Sequence, residues 1–258
     1  MITGWWQRRR HARVLRARAI PAPLWSRTLE RYPFLARRDA AQQARLRELA
    51  TLFLAGKEFA AVGGLELTDE IAVAIAAQAC LPVLELGLAP YRGFVGIVVH
   101  PDEVVARREI TDEHGIVHHY DEVLAGEAME GGPVMVNWRD VAAAGESAQI
   151  GFNVVVHEFV HKIDMRDGAA DGCPPMPSRE ARTRWLALLQ GEYERFREQV
   201  VIAERFGGEP PWLDSYGAEA IDEFFAVACE GYFVNRERFT QDFPQLTVLF
   251  DGFYLPSQ

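Results

Sequence analysis

The sequence predicts an α+β fold, mainly helical, with a small sheet set into its middle. Three patterns point there. Apolar residues recur at helical spacing through the first third, short β-branched runs follow between residues 91 and 138, and helical periodicity returns from about residue 148 to 235.

Residues 38–55, RDAAQQARLRELATLFLA, place Leu46, Leu49 and Phe53 on one helical face, and Thr68-Asp-Glu reads as the cap of the next apolar helix. The apolar stretch 71–89 is broken by Gln78, Pro82 and Glu85. It predicts a buried helix, because a membrane span needs about 18 uninterrupted apolar residues. GFVGIVVH (93–100) and GPVMVNW (132–138) read as strands, with the polar DEHGIVHHYDE (112–122) between them as a hairpin or loop. Helices are expected over 148–164, 178–206 and about 217–235, and the turn-rich DGAADGCPPMPS (167–178) as a loop.

A chain of 258 residues with 49% hydrophobic content can bury a sizeable core. Its formal charge of −10 is unevenly spread: residues 1–50 hold 12 Lys and Arg against 3 acids, the remainder 15 against 34. Residues 1–19 are therefore expected to form a basic N-terminal arm, with one domain over 20–258. Arg8, Arg9, Arg10, Arg13, Arg16 and Arg18 beside Trp5 and Trp6 suit a solvated arm, or one that touches anionic lipid, nucleic acid or an acidic partner. Direct nucleic-acid binding is not expected of the acidic remainder. The arginines fall where a secretory signal needs its apolar core. Cys80, Cys173 and Cys229 are odd in number, far apart and lack CxxC spacing, so neither a disulfide framework nor a thiolate zinc site is indicated, and the reducing cytoplasm is expected.

Chemistry enters with His157-Glu158-Phe-Val-His161, an HExxH arrangement that sets two imidazoles one helical turn apart where they can grip one ion. At about 100° per residue, His157, His161, Asp164 and Glu158 share one face. Val155, Val156, Phe159, Val160 and Ile163 fill the other. A catalytic zinc usually takes a third protein ligand. In SYGAEAIDEFFAVACEGYF, Tyr216, Glu219, Glu223 and Glu230 lie on one helical line, and periodicity does not choose among the three glutamates. Asp164 is placed to accept an imidazole proton or orient the helix, whereas His100, His114, His118 and His119 have no pairing glutamate and are not expected to ligate. GPVMVNW is open to two readings, a substrate-pairing strand or an ordinary core strand.

With AIPAPLW, IAVAIAAQACLP, HEFVHKID and its DGAADG loop, and SYGAEAIDEFFAVACEGYF together, the chain resembles the bacterial Mlc titration factor A metallopeptidases, which are similar around the site to the protease domain of anthrax lethal factor. The resemblance runs from about Ile20 onward. It implies a zincin-type fold with the sheet beside the HExxH helix, and Glu223 as the third zinc ligand with His157 and His161. It also implies a substrate-facing Tyr216, aminopeptidase-like peptide hydrolysis, and binding to a glucose-responsive transcriptional repressor.

On this reading Glu158 is the general base that takes a proton from a zinc-activated water, and Tyr216 steadies the oxyanion. The competing reading is a regulatory binding protein that sequesters a repressor around a mainly structural zinc. Glu158 argues against it, since a structural site has no use for a base beside its ligands.

Overall fold

The computed structural model describes residues 2–111, 117–124, 126–168 and 170–255, with side chains at all of these except 2–5, 7, 104–111 and 117–124. Helix α1 (Ile2–Arg18) is followed by α2 (Ala22–Arg31) and α3 (Pro33–Ala36), each started by a proline in its first turn, and α4 (Ala40–Gly56), along which α1 lies. A capping box starts α4: Asp39 accepts from the Gln42 N–H, and the Gln42 side chain accepts from the Asp39 N–H. Strand β1 (Glu58–Ala61) leads to α5 (Asp69–Ala79), capped by Thr68 as expected.

Then come β2 (Gly96–His100), β3 (Val104–Thr111), β4 (Val117–Leu124), β5 (Gly126–Ala128) and β6 (Val134–Asn137). The remainder is helical: α6 (Trp138–Ser147), α7 (Val154–Asp164), α8 (Arg179–Phe206), α9 (Ile221–Val234), α10 (Arg236–Asp242) and α11 (Pro244–Tyr254). No described helix is long and apolar enough to cross a membrane.

The four-stranded sheet has the order β1-β2-β6-β5. Its first two pairings are parallel, and β5 runs antiparallel along one edge. Strands β3 and β4 form a separate antiparallel hairpin. Because β6 is paired on both sides, the GPVMVNW segment is a core strand with no free edge for a substrate. The edge beside α7 belongs to β5.

Helix α7 sits at the centre, against α5, α9, β5 and β6. Val155, Val156, Phe159 and Val160 are fully buried. The Phe159 ring lies 5.5, 5.1 and 6.0 Å from those of Phe53, Tyr91 and Phe94, which anchors the helix from behind. Helix α9 is buried from Phe224 to Val234, and the rings of Trp185, Phe225, Tyr232, Phe239 and Phe250 close the core beneath it. This is the mainly helical α+β architecture, with a small sheet beside the HExxH helix, that the resemblance implies.

Three boundaries differ from the periodicity. The helix expected over 148–164 starts only at Val154, because Gly151 adopts φ 79° and breaks the chain after a short 3-10 turn. The helix within 71–89 ends at Ala79, since Pro82 supplies no N–H to continue it. The last of the three begins at Ile221, after an extended Ala220 separates it from a 3-10 turn at Ser215–Ala218. Strands β1 and β5 are too short to show a period. Of the 112–122 segment, residues 117–122 lie in β4, while 112–116 fall outside the described residues.

Two helical glycines test this packing. A Cβ at Gly145 would lie inside contact distance of the Arg31 carbonyl, whereas one at Gly191 would meet nothing within 4 Å. Gly145→Ala is expected to destabilise by about 2 kcal/mol despite its better helix propensity, and Gly191→Ala to stabilise by about 0.5–1 kcal/mol. Urea unfolding of both variants checks the pair, and equal effects would contradict the close approach of α2 and α6.

Candidate metal centre

The site begins at the capped end of α7. The Asn153 side chain accepts from the Val156 N–H at 2.8 Å and donates to Gln78 on α5 at 2.7 Å. The Asn153 backbone N–H donates to Glu230 on α9. The other oxygen of the same carboxylate lies 2.8 Å from His157 Nδ1. Glu230, 1% exposed, therefore fixes both the start of the helix and the orientation of its first histidine.

With Nδ1 engaged, His157 turns Nε2 toward His161 Nε2 at 3.2 Å and Glu223 Oε2 at 3.0 Å, and Glu223 lies 3.4 Å from His161. One ligand atom from each of His157, His161 and Glu223 falls within 4.8 Å of the others, the only such trio among the described residues. Two ring nitrogens and a carboxylate oxygen from two helices thus converge on one point. A cation among them could be held by all three, and two nitrogens with a carboxylate oxygen suit zinc. The residues present fit a metal ion.

The charges point the same way. Burial disfavours a charged His157, yet its hydrogen bonds to Glu223 and Glu230 outweigh that and push its pKa well above the usual imidazole value. Burial also opposes ionised Glu223, but the two histidines hold its carboxyl far below the ordinary range. In effect the ring proton stands in for the positive charge that a metal would bring. Glu158, 5% exposed, is pushed up to about 7 chiefly by burial. A divalent cation seated beside it would draw that value down again.

Two adjoining cavities of about 480 and 230 Å³ meet over this group and share Gly126, His157, Glu158 and Tyr216 in their walls. The cleft thus extends to both sides of Glu158. One wall is the edge strand β5, which comes so close that a Cβ at Gly126 would lie 2.5 Å from Glu158 Oε1. Tyr216 is 37% exposed, with its ring 6.0 Å from that of His157. It stands in the 3-10 turn before α9 and not on the helix, so the shared helical line does not account for its position. Asp214 does, by accepting from the Tyr216 N–H and starting that turn.

Asp164 does not contact an imidazole. It is fully buried and accepts from the Gly172 N–H at 2.8 Å, pinning the 167–178 loop to the end of α7. Trp185 holds the same loop by donating to the Gly172 carbonyl at 2.7 Å. Glu219 is exposed ahead of α9, and His100 closes β2 outside the trio. His114 lies outside the described residues, and the side chains of His118 and His119 are not described.

Two contributors escaped the sequence reading. Lys162, 5% exposed, donates from Nζ to the carbonyls of Met129 and Gly132 and so ties the β5–β6 turn to the metal helix. A lysine beside His161 on an otherwise buried helix was its available signal. Gly126 had none, because its neighbour Glu158 is distant in sequence.

A family model described as glucose-regulated metallo-peptidase M90 matches residues 4–255. The match takes in α1, which the motifs beginning at Ile20 did not reach. An uncharacterized protein of Synechocystis sp. is 35% identical over 240 residues, 92% of this chain and 85% of its own length. A Klebsiella pneumoniae protein named Mlc titration factor A is 36% identical over 231 residues, covering 89% and 84%. One of the same name from Salmonella arizonae is 35% identical over 238 residues, covering 91% and 92%.

Gly126→Ala is expected to displace the Glu158 carboxylate and cut any turnover about 100-fold while leaving metal content unchanged. Parallel assay and elemental analysis check it, and wild-type turnover would show that Glu158 tolerates the displacement.

Burial pushes Asp164 up to about 7, with the Gly172 N–H opposing. Between about pH 4 and 7 the native state holds a proton that the unfolded chain has released, so stability falls as pH rises through that window. Asp164→Asn keeps an acceptor for Gly172 but cannot ionise. Its stability relative to wild type should grow from pH 5 to 7.5 by up to a few kcal/mol in urea unfolding, and a pH-independent difference would exclude the shift.

Proposed function

We propose that this chain, which belongs to the glucose-regulated metallo-peptidase M90 family, is a zinc-dependent peptidase with His157, His161 and Glu223 as ligands, Glu158 as general base and Tyr216 as oxyanion donor. One observation carries the reading. Three donor atoms converge beside the buried carboxylate of Glu158, at the meeting point of a cleft that extends both ways.

Zinc, when bound, supplies Lewis acidity that makes water acidic near neutral pH and polarises a carbonyl. Glu158 takes the proton from the attacking water and returns it to the leaving amine nitrogen. Glu230 keeps a proton on His157 Nδ1, so that Nε2 offers its lone pair to the metal. The Tyr216 hydroxyl donates to the developing oxyanion, and Phe152, Val154 and Val227 exclude water from one side.

The substrate lies extended along β5, whose outer edge is unpaired within the four-stranded sheet and whose residues Gly126, Glu127 and Ala128 wall the cleft. Aminopeptidase-like action is supported by Asp214 in the larger cavity, where a terminal ammonium would find a carboxylate, with Glu103 and Asp140 nearby though both paired with Arg139. The protein acts in the cytoplasm.

The name of the relatives, Mlc titration factor A, supports a second role in which the chain also binds a transcriptional repressor. A binding protein with a structural zinc would not need Glu158. The presence of that base supports the peptidase reading.

Glu158→Gln should retain about one zinc per chain and lose about 10²–10⁴-fold in hydrolysis of a small aminoacyl reporter. Unchanged turnover would remove Glu158 from the mechanism and favour the binding reading. In elemental analysis Glu223→Ala should be metal-free, Glu230→Gln should bind zinc about 10–100-fold more weakly, and Glu219→Ala should match wild type. Full occupancy in Glu223→Ala would refute the ligand assignment.

A further inference from the structure

Behind the metal helix, and sharing no lining residue with the cleft, a cavity of about 600 Å³ opens between α1, α4 and the 87–94 loop. Its floor is apolar, built from Val14, Leu15, Leu49, Leu52, Phe53 and Phe94. Its charged residues are of nearly one sign: Arg10, Arg45, Lys57 and Arg92 against Glu48 alone. In a chain of net charge −10 that excess is local, and it is the reverse of the metal cleft with its carboxylates.

Among the described residues, none of Arg10, Arg45, Lys57 and Arg92 is paired with a carboxylate. The side chains of Arg10, His11 and Arg92 have no hydrogen-bond or ion-pair partner among the described residues, and Arg45 donates from Nε to the Leu84 carbonyl and not to an acid. Lys57 donates to the carbonyls of Tyr91 and Phe94 at 2.7 and 2.6 Å, which engages two of its three protons, and its Nζ stands 3.5 Å from the Phe94 ring centroid. Burial, and Lys162 nearby, push Lys57 down to about 8. An ammonium in that setting gains from an added anion.

We propose that this cavity is a second binding site, for a small amphipathic anion: one carboxylate or similar head group on an apolar body the size of a medium acyl chain. The head group sits among Arg10, Lys57 and Arg92, and the body lies on Leu49, Leu52 and Phe94. The volume is that of a small-molecule pocket, with an apolar floor and a few polar groups on one side. Charge complementarity selects an anion over a neutral ligand.

The test is calorimetric titration of the full-length, zinc-loaded protein with sodium decanoate below its aggregation concentration, and in parallel with decanol. The expected result is one decanoate per chain, with decanol binding at least tenfold more weakly. Arg10→Glu and Arg92→Glu lie on exposed positions where folding is retained, and each should weaken decanoate about tenfold. Leu52→Trp, which fills the cavity, should abolish binding, and Arg205→Glu at the exposed end of α8 should leave it unchanged. The proposal is overturned if decanol binds as well as decanoate, if both charge reversals bind like wild type, or if a polyglutamate peptide binds at the cavity while decanoate does not.

Discussion

The carboxylate of Glu230 is the contact on which the centre depends. It is 1% exposed on a buried helix, so its charge is sustained chiefly by what α7 presents: the Asn153 N–H and the His157 ring. One group thereby sets the distance between α7 and α9, the start of α7, and the direction in which His157 points its second ring nitrogen. Glu223 stands two helical turns earlier on the same face of α9 and reaches the opposite nitrogen of the same ring. The two glutamates grip one imidazole from both sides.

That grip is useful only if α7 cannot slide or turn. Behind it Phe159 is held among three rings, ahead of it Asn153 is bonded to Gln78, and at its far end Asp164 holds the Gly172 N–H. Lys162 adds the turn between β5 and β6, which carries the edge strand to the cleft. Each tie runs from one short helix to a different part of the chain. A rigid scaffold with an open front is what a metal site with an exchangeable position needs.

Phe94 links the two faces of this arrangement. The ammonium of Lys162 lies 4.7 Å from its ring centroid and that of Lys57 3.5 Å, so two cations flank one aromatic group between the metal helix and the basic cavity behind it. The carbonyls of Met129, Gly132, Tyr91 and Phe94 take most of their protons. Backbone dipoles thus do here what carboxylates do in the cleft.

The sequence alone determined the helices around 38–55, 178–206 and the HExxH segment, the strands GIVVH and VMVN, and the residue types that can ligate a metal. These are legible because helical and strand periods and a cap such as Thr68 are local properties of the chain. Periodicity left Glu219, Glu223 and Glu230 equivalent. The family resemblance singled out Glu223, and the tertiary structure gives the physical separation, by starting the helix at Ile221 so that Glu219 falls outside it, and by setting α9 across α7 so that Glu223 meets the front of His157 and Glu230 its back. The edge strand β5, its glycine against Glu158, and the place of Tyr216 were likewise decided in three dimensions. Their partners lie tens of residues away, and no local period encodes the distance between them.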